Sequence, residues 1–226
     1  MKTLPLFIAL ISALLPVIAQ RTGLSAKYGF IMKMVCAFMY LATGVISAIS
    51  LYRVTDYSLM ILAALCFGVL GDFFLEHNGK KLFPAGVAFF ALGHIIYSFA
   101  FLCIGSYKAL DHILSVICVT IVLTLIIILF AKTKLKLKGK KNLLLIYAPV
   151  LIFAFASAVV SGAFAVSSGN LSYGLCLITG GVLFFVSDLM IGLGKGGIQR
   201  PDFLHNAVSY TYFAAQTLFA LSIYFQ

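Results

Sequence analysis

The sequence predicts an all-α integral membrane protein, a compact bundle of eight transmembrane helices forming one domain over residues 1–226. Of these residues 63% are hydrophobic and 10% charged, whereas water-soluble domains hold roughly 45–50% and about 25%. The mean hydropathy of +1.13 is concentrated in runs near the ~20 residues a helix needs to cross about 30 Å of hydrocarbon. Charged residues, Gly, Asn and Pro separate the runs. A soluble domain is therefore excluded. The formal charge of +10, which would suggest nucleic acid in a soluble protein, lies mostly between apolar runs, where cations report topology and lipid headgroups.

The runs fall at about 4–20, 30–50, 58–75, 82–104, 113–131, 143–166, 171–193 and 204–225. The first, with Lys2 ahead of it and Val17-Ile18-Ala19 near its end, has the outline of a secretory signal. Charge argues against its removal. If all eight runs span, Arg21, Lys27, Lys80, Lys81, the six lysines of 132–141, Lys195 and Arg200 share one face, against Lys2, Arg53 and Lys108 on the other. The positive-inside rule assigns the richer face, with its Lys-rich loop 132–141, to the cytoplasm of a multi-pass cell-membrane protein, and both termini outside. A cleaved signal would invert that arrangement. The second run carries Lys33, Tyr40 and Ser47 at seven-residue steps, with Cys36 and Thr43 beside them, as one polar stripe.

The third and seventh runs each enclose a carboxylate, Asp72 and Asp188, while Asp56, Glu76, Asp111 and Asp202 fall in loops or at helix edges. A charged side chain in mid-span costs roughly 2.5–3.5 kcal/mol on insertion scales, so such residues usually face the bundle interior and serve a function. Helix rise puts Asp72 about 5 Å and Asp188 about 8 Å from the cytoplasmic ends of helices running the same way. Two carboxylates facing one another in a low dielectric cannot both ionise comfortably, so the pair retains a proton and offers an acid and a base in one site. Structural hydrogen bonding between helices is the bland alternative.

Other polar residues border the same interior. The fourth run places His94 one turn from Tyr97, with His94 about 18 Å deep by helix rise. In the eighth, His205, Ser209, Tyr212 and Gln216 share one face. Lys33 lies about 5 Å inside its helix and can either pair with an aspartate or snorkel to the headgroups. Glu76 shares a face with Asp72, as a solvated helix-end charge or a third carboxylate at the mouth. His77, His94, His112 and His205 include no pair at four-residue spacing, so neither a metal nor another cofactor is expected. The five cysteines are scattered through apolar runs and read as buried thiols.

Gly71-Asp72 with Phe74-Leu75, then Phe89 to Tyr97, Gly181 to Asp188, and Tyr212 to Gln216 together give the chain its resemblance to the YhhN-like lysoplasmalogenase family, along essentially its whole length. The resemblance implies hydrolysis of the vinyl ether bond of lysoplasmenylethanolamine or lysoplasmenylcholine, giving a fatty aldehyde and the glycerophospho base. On that reading Asp72 and Asp188 match the family's two intramembrane aspartates, and His94, Tyr97, Tyr212 and Gln216 its accessory polar positions. The expected partners are the lysophospholipid and membrane lipids, with no nucleic acid; oligomeric state is left open. The chemistry needs one protonated acid, to protonate the alkene carbon, and one carboxylate, to stabilise the oxocarbenium ion and orient water. Lys33 would meet the phosphate and the stripe with Tyr40 would bind the glycerol and head, while Phe73, Phe74, Phe184 and Phe185 either flank the chain or, as is commoner for such aromatics, are ordinary helix packing. The competing reading is a proton-coupled transporter using the same carboxylates.

Overall fold

A computed structural model describes residues 3–52, 54–76, 82–103, 109–134, 141–195 and 202–226. The Lys-rich loop therefore lies largely outside the described residues, as do His77, Lys80, Lys81, Lys108 and Arg200. Eight helices follow in order: α1 (Leu4–Arg21), α2 (Leu24–Ser50), α3 (Asp56–Glu76), α4 (Phe83–Cys103), α5 (Ala109–Lys134), α6 (Lys141–Ser167), α7 (Leu171–Lys195) and α8 (Asp202–Phe225). Several run past the apolar stretch that announces them, because backbone hydrogen bonding continues through a terminal charge where hydropathy stops.

Local chemistry marks the turns. Gly23, with φ of 74°, joins α1 to α2 in the left-handed conformation that glycine adopts without a Cβ penalty. Tyr28 breaks helical geometry inside α2 at φ −128° and ψ 35°, so the regular span starts beside Phe30, where the apolar run begins. Thr55 and Ser58 cap α3 reciprocally: Ser58 N–H donates to Thr55 Oγ1 at 3.1 Å and Thr55 N–H to Ser58 Oγ at 2.9 Å. Asn170 Oδ1 accepts from the Tyr173 N–H at 3.3 Å, and its Nδ2 donates to the Phe225 carbonyl at 2.8 Å. That pair fastens the start of α7 to the end of α8.

Seven of the helices are long and apolar enough to cross a membrane, and α8 is not among them. The reason is physical. Tyr212, Gln216, Thr217 and Ser222 interrupt its apolar sequence and are all buried, because α8 packs against α1, α2, α3 and α7. A helix enclosed by protein can carry polar residues that lipid would reject. The expectation of eight transmembrane helices is met in part: eight helices form, and among the described residues seven are apolar enough to span. At the other extreme, α5 leans chiefly on α6 and leaves most of its surface exposed. The N-terminal run is an integral part of the bundle: α1 packs on α2 and α8, and Ser12 Oγ lies 2.8 Å from Thr217 Oγ1. Cys66, Cys103 and Cys118 are exposed and only Cys36 and Cys176 buried. The expectation of uniformly buried thiols fails because a lipid-facing helix surface accepts Cys as readily as a core.

Candidate functional site

Polar residues from six helices converge at the end of the bundle where α3 and α7 finish and α2, α4, α6 and α8 begin. The stripe on α2 faces inward as its spacing requires, with Cys36, Tyr40, Thr43 and Ser47 all buried. Asp72, four residues before the end of α3, is 2% exposed. Its Oδ2 accepts from the Tyr212 hydroxyl at 2.7 Å and the Tyr40 hydroxyl at 3.5 Å, and its Oδ1 lies 3.5 Å from Lys33 Nζ. Lys33 reaches Glu76 Oε2 as well, at 3.2 Å. Of its two sequence-level options, the ammonium thus takes the pairing one, joining a buried carboxylate to an exposed one.

The network runs deeper through Gln216. Tyr97 donates to Gln216 Oε1 at 2.6 Å, and Gln216 Nε2 donates to the Tyr212 oxygen at 3.2 Å. The turn of α3 preceding Asp72 makes room for this cluster. A Cβ at Gly68 would lie 2.6 Å from Gln216 Nε2 and 3.0 Å from the Tyr40 oxygen.

Asp188 on α7 has different neighbours. The Tyr147 hydroxyl of α6 donates a short hydrogen bond to its Oδ2, and His94 Nε2 of α4 stands 3.8 Å from the same oxygen. His94 Nδ1 lies 2.5 Å from the Phe90 carbonyl, while its Nε2 is buried without a hydrogen-bond partner. The adjacent Ser187 hydroxyl is turned away and donates to the Val208 carbonyl at 3.0 Å, tying α7 to α8.

Both aspartates line one cavity of about 130 Å³, together with Lys33, Tyr147, Ser187, Ser209 and Tyr212. Its apolar wall comes from Leu75, Phe83, Val87, Phe90, Ile191 and Phe213. The cavity shares Lys33, Phe83, Ser209 and Phe213 with a hollow of about 560 Å³, which adds Gln20, Ser25, Glu76, Asn206 and Tyr210. A narrow apolar-walled pocket thus adjoins a wider, more polar one, with Lys33 in both walls.

Of the residues singled out from sequence, Lys33, Tyr40, Asp72, Tyr97, Tyr212 and Gln216 form one connected network, and His94 and Asp188 form a second group across the cavity. The side chain of His205 lies outside the described residues. One expectation changes. His94 does not lie far below the aspartates, because the helices do not begin and end at common levels, so counting from separate ends gives unequal zeros. Phe73, Phe74, Phe184 and Phe185 take the packing role, and the aromatic lining comes from Phe83, Phe90 and Phe213. Phe184 is buried against His94, Tyr212 and Phe219, and Phe73 packs on Phe30 and Phe74. Tyr147 is the residue that sequence reasoning passed over. It lies six residues into α6, about 9 Å by helix rise, and Asp188 lies seven from the end of antiparallel α7, about 10 Å. The depth count that pairs the aspartates would have found it too.

Comparison with the curated proteins and with the solved structures returns no match. The family model of the YhhN family matches residues 4–223. With nearly the whole chain matched, and the shared motifs folded around this cavity, the protein belongs to the YhhN family.

Proposed function

We propose that the protein is a lysoplasmalogenase, a membrane hydrolase that cleaves the vinyl ether bond of a lysoplasmalogen by acid–base catalysis with Asp72 and Asp188. The observation that supports the reading is the convergence of two carboxylates, Asp72 buried and Asp188 largely so, on one apolar-walled cavity beside a wider hollow of mixed polarity. A lysolipid has the matching layout: one alkenyl chain, a reactive bond beside the glycerol, and a charged head. In this pose the chain lies along Phe83, Phe90 and Phe213, the enol ether sits between the aspartates, and Lys33 meets the phosphate. A charge-assisted hydrogen bond of that kind is worth roughly 1.5–3 kcal/mol.

The reaction balances on two carboxyl groups. A protonated carboxyl delivers its proton to the alkene carbon farther from oxygen, leaving an oxocarbenium ion facing the other, ionised carboxylate. Water adds to the cationic carbon and gives a proton to that carboxylate, forming a hemiacetal. Collapse returns the hemiacetal hydroxyl proton to the first carboxyl and a proton from the second to the departing glycerol oxygen. One water is consumed and both groups regain their starting states.

The test is fatty-aldehyde release from a lysoplasmalogen by the purified protein in detergent. Release is expected to resist chelator, to deposit one deuterium on the aldehyde α-carbon when run in D₂O, and to fall by about 100-fold or more in Asp72→Asn and in Asp188→Asn. Release unchanged by both substitutions would move catalysis off the aspartates. An inactive but folded parent would favour proton-coupled transport through the same carboxylates.

A further inference from the structure

The hydrogen-bond directions around the two carboxyl groups differ, and they divide the roles. At Asp72 the chain of donors is one-way. Tyr97 donates to Gln216 Oε1, so the Gln216 amide presents its N–H to the Tyr212 oxygen. Tyr212, already accepting there, gives its own proton to Asp72. Tyr40 donates to the same carboxyl oxygen, and Lys33, which has donors and no acceptor, faces the other. Asp72 is surrounded by donors, one of them cationic, and is matched to them as an acceptor-only carboxylate.

At Asp188 the sense is mixed. The Phe90 carbonyl can only accept, so His94 Nδ1 carries a hydrogen there. In the neutral ring Nε2 is then a lone pair, buried, unpartnered and aimed at Asp188 Oδ2 across 3.8 Å. A lone pair facing a carboxylate is a mismatch; a lone pair facing a carboxylic acid is an acceptor waiting for its proton. Tyr147 donates to the remaining capacity of that oxygen. The groups around Asp188 are His94 from α4, Tyr147 from α6 and, lining the same cavity, Asp72 from α3 and Tyr212 from α8, with Lys33 of α2 bound to Asp72. None places a cation on Asp188 when His94 is neutral.

We infer that Asp188 is the resident acid and Asp72 the resident carboxylate, with the Nδ1–H form of His94, held by the Phe90 carbonyl, positioning the Asp188 proton. The inference deepens the proposed hydrolase and rests on it for the chemical use of that proton, though the protonation state exists without substrate. In the reaction, Asp188 protonates carbon and Asp72 receives the proton from water. His94 and Tyr147 act through Asp188 as positioning residues.

Infrared spectroscopy of the substrate-free protein in detergent at neutral pH reads this directly, because a protonated carboxyl has a C=O band separate from carboxylate and amide absorption. One such band is expected, shifting in D₂O, absent from Asp188→Asn and retained in Asp72→Asn. Tyr147→Phe and His94→Phe, each removing a partner of that carboxyl, are expected to move the band to higher frequency, while Tyr40→Phe leaves it in place. The tyrosine variants keep shape and packing, so the assignment stands or falls even where an asparagine variant does not fold. No band in the parent, which would leave the proton on His94, overturns the inference; so does a band lost in Asp72→Asn, or one moved by Tyr40→Phe and not by Tyr147→Phe. Aldehyde assays fail independently: the expected bands without aldehyde release would refute the hydrolase alone, and release with the opposite bands would refute the division of roles alone.

Discussion

At the level of single residues, the site depends on a glycine as much as on its acids. A Cβ at Gly68 would lie 2.6 Å from Gln216 Nε2, closer than a Cβ tolerates, and a tight 3.0 Å from the Tyr40 oxygen, so alanine there must displace the amide that orients Tyr212. Gly68→Ala is expected to lower kcat by about 10-fold or more, since a misplacement near 1 Å can cost about 100-fold. It should leave the protein folded, because helix propensity favours alanine over glycine by up to about 1 kcal/mol. Aldehyde-release kinetics beside a thermal melt in detergent separate the two effects; unchanged kcat would mean that Gln216 does not orient Tyr212. Sequence legibility at this scale is uneven for a definite reason. Asp72 and Asp188 stand out because ionised groups are costly in apolar runs, and the seven-residue steps of Lys33, Tyr40 and Ser47 locate a face. Tyr147 and Gly68 give no such signal: a tyrosine and a glycine are ordinary in membrane helices, and their importance exists only in the partner each meets.

At the level of elements, helix separation sets which side chains meet. Tyr147 reaches Asp188 near one end of the α6–α7 pair, and near the other end facing glycines set how closely the two helices approach. A Cβ at Gly162 would lie 2.8 Å from the Gly174 carbonyl oxygen, and one at Gly174 2.5 Å from that of Gly162. Small residues of this kind let membrane helices approach where no hydrophobic driving force separates helix from lipid. Gly174→Val meets the Gly162 carbonyl oxygen as well as the Val166 side chain, so repacking a side chain does not relieve it; it is expected to spread α6 from α7, lower the melting temperature and, where the spread carries along the pair, weaken the Tyr147 bond to Asp188. The check is a melt in detergent together with the carboxyl infrared band of the substrate-free protein; an unmoved band in a destabilised variant would show that the close approach serves stability alone. Element identity is legible in the apolar runs because length and hydropathy decide it. Helix ends are not, which is why His94, counted from its own helix end, reads as deeper than the Asp188 it faces.

At the level of the whole molecule, the least apolar helix, α8, is enclosed chiefly by α1, α2, α3 and α7. The same enclosure that lets α8 carry Tyr212 and Gln216 keeps it below the apolarity of a membrane span. The site lies at one end of this bundle, the end at which helix termini and the connections between them carry twelve of the sixteen Lys and Arg residues. If the cation rule orients the chain, that end is cytoplasmic, and the lysolipid of the proposed function would enter from the inner leaflet with its head beside Lys33 and its bond just below the headgroup layer. Cysteine accessibility decides this in a background lacking all five native cysteines, necessary because Cys66, Cys103 and Cys118 are exposed. With an impermeant thiol reagent, Lys108→Cys is expected to label in intact cells and Lys140→Cys only after permeabilisation. The reverse pattern would put the cavity at the outer leaflet, and the cations beside it would then face the exterior against the usual bias. The catalytic geometry would be unchanged, because donors, acceptors and cavity belong to the fold. The lipid pool reaching it would differ, so on the proposed function the hydrolase would act on lysolipids from the other side of the membrane.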